Sequence, residues 1–285
     1  MDSMTPVTLM SGQPASLPQP SGNGPSYRVR LATTEDLTQI FALRYDVFFG
    51  ELGAQPQNDD AAHERGLDVD AHDALCDHLV INSHHNVVGT YRLLPLSRLK
   101  KEDDVLGAPA HPYSQGEFDV SALREHYGDE GILELGRSCI HPDHRNGQTA
   151  RLLWAGLAQY MTQGNYRALI GCVSVHGLSA IQAHRLALKL GELGVWDSRF
   201  NLGVQPEYRE DFDANDPDLA SISHLPHDAT SLMPPLMKGY INMGAKVCGG
   251  PAYDASFGCH DFLMLLDAAD VPERQMRALL ALSRR

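Results

Sequence analysis

The segment that most restricts the fold is residues 133–158, where a strand pattern passes through a short polar turn directly into a helix pattern. Residues 131–140 read Gly-Ile-Leu-Glu-Leu-Gly-Arg-Ser-Cys-Ile, apolar enough for a buried strand. Gly136 and Arg137 interrupt that run and predict a bulge or a stretch that faces a ligand. The turn is His141-Pro142-Asp143-His144-Arg145-Asn146-Gly147, and a helix is expected over 149–162, apolar at Leu152, Leu153, Ala155, Gly156 and Tyr160. Residues 168–175 follow as a continuously apolar strand, the mark of one buried on both faces.

The flanking segments extend this pattern. An alternating run at 27–32 predicts a strand. Thr34 is placed to cap a helix that runs to about residue 49, and residues 50–67 are polar and loop-like. Residues 78–82 and 87–94 form a predicted hairpin, residues 179–190 a helix, and residues 239–243 and 260–266 the last strands. The resulting order, β-α-β-β-β-α-β-α-β-β, gives an α/β fold with a mixed central sheet flanked by helices. Residues 1–26, rich in Pro, Gly, Ser and Gln, are expected to be a disordered tail, with one folded domain over 27–270. Residues 271–285 are expected to form a basic amphipathic helix through Met276, Leu279, Leu280 and Leu282, packed on its own domain or touching anionic lipid.

Composition narrows the function. The net charge of −13 excludes a general nucleic-acid binder. Five cysteines without a CxxC pair argue against a disulfide framework or a structural zinc site. His141 and His144 lack a third ligand nearby in sequence, so no metal is expected. Cys139 with His141 as nucleophile and base is the alternative to direct transfer, but neighbours this close along a strand need not face each other. The chain has neither a secretory leader pattern nor an apolar run long enough to span a membrane, and is expected in the cytoplasm, with peripheral contact at the inner membrane left open.

The turn before the second long helix carries a specific chemistry. N–H groups at a helix start are unpaired within the helix and partly positive, so they hold phosphate oxygens. Arg145-Asn146-Gly147-Gln148-Thr149-Ala150 resembles the pyrophosphate loop of the GNAT acyltransferase superfamily, Arg-x-x-Gly-x-Gly/Ala, with Gln148 in place of the first glycine. By this resemblance Ile140, Arg145, Gly147, Gln148, Thr149 and Ala150 would bind the phosphopantetheine of an acyl carrier.

An ordered set of motifs goes further. Arg44 and Phe48, then Asp70 and Asp73, then Arg92, then Glu134 and Arg137 resemble the pattern of acyl-homoserine-lactone synthases, with Gly136 where those have serine. The segments Cys76-Asp77-His78-Leu79, Glu134-Leu135-Gly136-Arg137-Ser138-Cys139, Pro234-Pro235-Leu236-Met237-Lys238 and Gly249-Gly250-Pro251-Ala252-Tyr253-Asp254 resemble more fully the ornithine-lipid acyltransferases, often labelled hemolysin-like. That resemblance covers roughly residues 28–267. It implies transfer of a 3-hydroxyacyl group from acyl carrier protein to the α-amine of ornithine, giving lyso-ornithine lipid, with the carrier's thioester as co-substrate and no permanently bound cofactor. The alternatives are an N-acyl synthase for another amino acid, a lactone-type synthase, and a non-catalytic membrane-associated protein.

Each residue has two readings. An ammonium has no free lone pair, so amide formation needs a base, and Glu134 is the candidate; otherwise it pairs with Arg137 or Arg92. A backbone N–H near Cys139 or Ile140 is expected to face the oxyanion. Asp70 and Asp73 either hold the distal amine of the acceptor or form a solvated charged turn. Arg44 and Arg92 either grip the amino-acid carboxylate or form ion pairs with those aspartates. Arg145, Arg151, Arg167, Arg185 and Lys189 are the expected docking patch for an acidic carrier.

Overall fold

The alternating run at Tyr27–Leu31 forms β1, the edge of a seven-stranded sheet in the order β1-β2-β3-β4-β5-β7-β6. The structure is a computed structural model that describes residues 26–55, 61–99, 109–200, 202–211 and 229–283. The tail expected over 1–26 therefore lies outside the described residues, except for Ser26. The other strands are β2 (Asp77–Ser83), β3 (Asn86–Pro95), β4 (Ile132–Ile140), β5 (Ala168–His176), β6 (Lys246–Asp254) and β7 (Cys259–Asp267). Among the seven described strands β4 and β5 alone pair in parallel, joined by the helix α3 (Gly147–Gln163). The sheet is mixed, as the sequence order requires.

Helices cover both faces. On one, Leu153 and Leu157 of α3 and Leu186 and Leu190 of α4 (Ala180–Glu192) share a core with Leu135, Val173 and Met264. On the other, α1 (Leu37–Tyr45) packs Ile40 and Leu43 against Val80 and Cys139. Beside it, Phe118, Val120 and Leu123, leading into α2 (Ser121–Tyr127), cover Ile132, Ile170 and Leu263. The sequence reading did not anticipate α2.

Two expectations are corrected. Thr33, not Thr34, precedes the short 3-10 turn that leads into α1. Residues 239–243 are not a strand: Pro235–Asn242 is a helix, α5, and the strand begins at Lys246. Pro235 occupies the first turn of α5, where its missing N–H costs nothing, and Met237 and Tyr240 bury one side of it. The last helix, α6 (Glu273–Leu282), lies against α3, with Met276 packed on the core. Among the described residues no helix is long and apolar enough to cross a membrane.

Two irregularities shape the centre of the sheet. Thr90 pairs with Cys139 and Arg92 with Gly136, so β4 carries one extra residue there, and Arg137 sits in the left-handed region at φ 49°. This is the bulge that Gly136 and Arg137 predict. The β4–β5 ladder holds only from Ile132, Leu133 and Glu134 to Ala168, Leu169 and Ile170, after which the strands part. Where they part, Gly171 comes so close that a Cβ on it would lie 2.5 Å from the Leu135 carbonyl oxygen.

Candidate active site

A cavity of about 540 Å³ opens at this fork. Its floor is β4 from Glu134 to Ile140 and β5 from Cys172 to Ser174. Val47, Phe48 and Leu52 close one side, and Trp154, Pro235 and Leu236 another. The β6–β7 hairpin adds Asp254, Phe257 and Asp261.

Glu134 borders the cavity and is buried. It pairs with neither arginine proposed for it. Its Oε2 accepts the Tyr113 N–H at 2.8 Å and its Oε1 the Ser114 N–H at 2.7 Å. These donors begin the 3-10 turn Tyr113–Gly116, so the carboxylate ties the segment that crosses the sheet to β4. Arg137 reaches the cavity from the bulge. Its Nε donates to Asp68 at 3.1 Å, and its guanidinium lies 5.0 Å from the Tyr113 ring centre, 5.3 Å from that of Phe257 and 5.8 Å from that of Phe48. Such rings favour a cation and shield it from water.

The remaining amino-acid candidates meet as ion pairs. Arg44 donates to Asp68 at 2.7 Å and to Asp73 at 2.7 Å. Arg92 donates to Asp70 at 2.6 Å and approaches Asp73 at 3.3 Å. Despite the burial that opposes ionisation, the Arg92 and Arg137 charges hold the Asp70 carboxyl well below the usual range. Of these residues Phe48, Arg92 and Arg137 border the cavity, whereas Arg44, Asp70 and Asp73 stand behind its wall. The arginine–aspartate pairing is thus the second of the two readings that the residues allowed.

At the start of α3, Asn146 caps the helix, accepting the Gln148 and Thr149 N–H groups at 3.0 Å each. Thr149 is buried, and its hydroxyl donates to the His144 carbonyl at 2.7 Å. Ile140, Arg145 and Ala150 border the cavity; Gly147 and Gln148 are exposed beside it. Arg145 is engaged with Glu51 at 2.5 Å. The expected docking patch is not one surface. Arg145 and Arg151 lie at the start of α3, while Arg167 follows its far end, a helix of 17 residues away, and stacks on Tyr127 at 5.5 Å. Arg185 and Lys189 lie on α4, where Lys189 pairs with Glu192.

Cys139 is buried, and desolvation pushes its thiol up to about 12, which removes the thiolate a nucleophile needs. His144 Nδ1 is bonded to the Tyr27 hydroxyl, and His141 Nδ1 accepts the Asp143 N–H. Among the described residues the one grouping of three ligand-type side chains is Glu117, Asp254 and Asp261. Sequence reasoning missed it. Asp261 is a carboxylate next to the apolar run Phe262–Leu266, and that signal could have found it; Glu117 lay in a segment assigned to no element. Desolvation, reinforced by its acidic neighbours, raises the Glu117 carboxyl to about 9, and Asp261 is raised to about 6.

A sheet that forks between two parallel strands, beside a helix N-terminus, is the framework of a GNAT-type N-acyltransferase, and residues 43–155 match the acetyltransferase (GNAT) domain family. The chain is 32% identical over 268 residues to the L-ornithine N(α)-acyltransferase of Brucella abortus (strain 2308), covering 87% of each. It is also 32% identical over 243 residues to the enzyme of that name from Rhizobium meliloti (strain 1021), covering 82% of this chain and 77% of that one. The chain belongs to the family of L-ornithine N(α)-acyltransferases. Among solved structures it is similar to FeeM, an N-acyl amino acid synthase from uncultured soil microbes, at 8% identity and a TM-score of 0.46, covering 88% of this chain and 97% of that one.

Proposed function

We propose that the chain moves a 3-hydroxy fatty acyl group from acyl carrier protein to the α-amine of L-ornithine, giving lyso-ornithine lipid. One observation carries the reading: the forked cleft joins the start of α3 to a cavity with apolar walls and buried charge. The donor thioester enters from the α3 side and places its carbonyl at the fork. Successive N–H groups of a strand point to opposite edges. The His141 N–H is bonded to the Val88 carbonyl, so that of Ile140 is directed the other way, toward the cleft, and serves as oxyanion donor.

The acceptor enters from the opposite face. Arg137, with Arg92 behind it, offers positive charge to the α-carboxylate. Glu134 takes the α-ammonium proton directly or through a water, using a lone pair that its two backbone partners leave free. The amine then attacks the thioester carbonyl, the C–S bond breaks, and the second amine proton passes to the departing carrier thiolate. Val47, Leu52, Trp154 and Leu236 give the acyl chain an apolar surface. An acyl-carrier donor and a lipid product support a location in the cytoplasm beside the inner membrane.

The test is to incubate the purified protein with 3-hydroxyacyl-carrier protein and single amino acids and to search for amide by mass spectrometry. Amide with ornithine supports the reading. Amide with glycine but not ornithine overturns the acceptor, and no amide with any amine overturns the transfer itself.

A further inference from the structure

Three carboxylates from distant parts of the chain converge on the acceptor face of the cavity. Glu117 comes from the segment that crosses the sheet, Asp254 from the end of β6 and Asp261 from β7, and their oxygens lie within 4.8 Å of one another. All three border the cavity. Both aspartates are held in place, Asp261 at its Oδ2 by the Cys259 thiol at 3.7 Å. Ser174 Oγ donates to Asp261 Oδ1 at 2.6 Å, and the Ser256 and Phe257 N–H groups donate to Asp254 Oδ1 at 2.8 and 3.2 Å. Glu117 is only 3% exposed, yet its Oε2 has no hydrogen-bond partner. Among the described residues the ion pairs involve other carboxylates and none of these three.

A buried acceptor without a donor is costly, and buried carboxylates are stable only when paired or protonated. In the empty cavity the proton that Glu117 keeps balances the cluster, and a cationic ligand would take its place. We propose that Glu117, Asp254 and Asp261 form the subsite that receives the side-chain ammonium of a diamino acid acceptor; this rests on the acceptor reading above and specifies which residues enforce it. A primary ammonium presents three N–H donors. Three bonds of about 2.8 Å at tetrahedral angles set their acceptors about 4.6 Å apart, which the observed spacing accommodates. Arg137 on the same wall takes the opposite charge of the amino acid, so the cavity is complementary to a zwitterion that carries a second amine. A methyl group in place of that amine would leave the carboxylates without a donor, and sites built to hydrogen-bond a polar group reject such analogues strongly.

The experiment compares L-ornithine with L-norleucine, in which a methyl replaces the ammonium, as acceptors for the full chain supplied with a 3-hydroxyacyl-carrier thioester. Wild type should prefer ornithine by at least about a hundredfold in kcat/KM. Glu117→Gln and Asp261→Asn, checked for folding by thermal melting, should each shrink that ratio by at least about tenfold, mainly by raising KM for ornithine. A wild-type enzyme that acylates norleucine as readily as ornithine overturns the diamino acceptor and the subsite together. A selective wild type whose ratio neither folded variant moves overturns the subsite alone. A second arm needs no variant: 1,4-diaminobutane should compete with ornithine while 1-butanol does not, and absence of that competition also overturns the subsite. Finally, Mg²⁺ or Ca²⁺ alone is titrated by calorimetry. Tight binding that Asp261→Asn removes would make the triad a metal site and overturn the proposal; no heat agrees with it.

Discussion

The Nε of Arg44 donates to Oδ2 of Asp68 at 2.7 Å while its terminal nitrogens bond both oxygens of Asp73, at 2.7 and 3.2 Å. Arg44 is 0% exposed. The network continues to Arg137 through Asp68 and to Arg92 through Asp70 and Asp73, so the cavity-lining arginines are held from behind by charges solvent scarcely reaches.

Removing Arg44 should therefore unbalance two buried aspartates. Arg44→Met is expected to cost about 3–5 kcal/mol. Urea denaturation at neutral pH measures this. A loss below about 1 kcal/mol would show that the network does not hold the fold.

Glu134→Gln tests the base. Glutamine keeps one acceptor for the Tyr113 and Ser114 N–H groups and turns an NH₂ toward the other, at an expected cost of about 1–3 kcal/mol. The folded variant should lose about a hundredfold or more in rate at neutral pH. A pH–rate profile identical to wild type would remove Glu134 from the proton transfer.

Glu117 gives the ligand-free protein a distinctive pH dependence. Burial and the charges of Asp261, Asp254 and Glu134 raise its carboxyl from 4.5 to about 9, with the Cys172 thiol and Tyr208 also facing it. Between these values the native state keeps a proton that the unfolded chain has released. Stability therefore falls as pH rises, by at most about 1.4 kcal/mol per pH unit for one group. Melting temperature should decline from pH 6.5 to 8.5 in wild type and less steeply in Glu117→Gln. Parallel curves would show that Glu117 is not the group responsible.

Gly171→Ala probes the fork itself. The added Cβ would meet the Leu135 carbonyl at 2.5 Å, and backbone cannot yield as a side-chain tip can. A loss of about 1–3 kcal/mol is expected, together with reduced activity. Unchanged melting and turnover would mean that the strands have freedom to part further.

Local patterning made most of the framework legible. Alternation marked β1, continuous apolarity marked β5, and a glycine and an arginine inside an apolar run marked the bulge of β4. The strand expected at 239–243 fails because the Pro234-Pro235 pair starts a helix that carries the chain through Asn242. Within the site, residue types were readable but their partners were not. Arg44, Asp68 and Asp73 find one another across a loop and two elements, and Glu117 meets Asp254 and Asp261 from more than a hundred residues away. No spacing rule spans such distances; only the folded sheet brings them together.

The parting of β4 and β5 leaves two strand edges facing each other with no ladder between them beyond Glu134 and Ile170. An extended amide-bearing arm laid in that gap would meet N–H and C=O groups at the spacing of a neighbouring strand. The substrate would then serve as a missing piece of secondary structure. Loading the enzyme and finishing its sheet would become one event, visible as slowed amide exchange along both strands when the cleft fills.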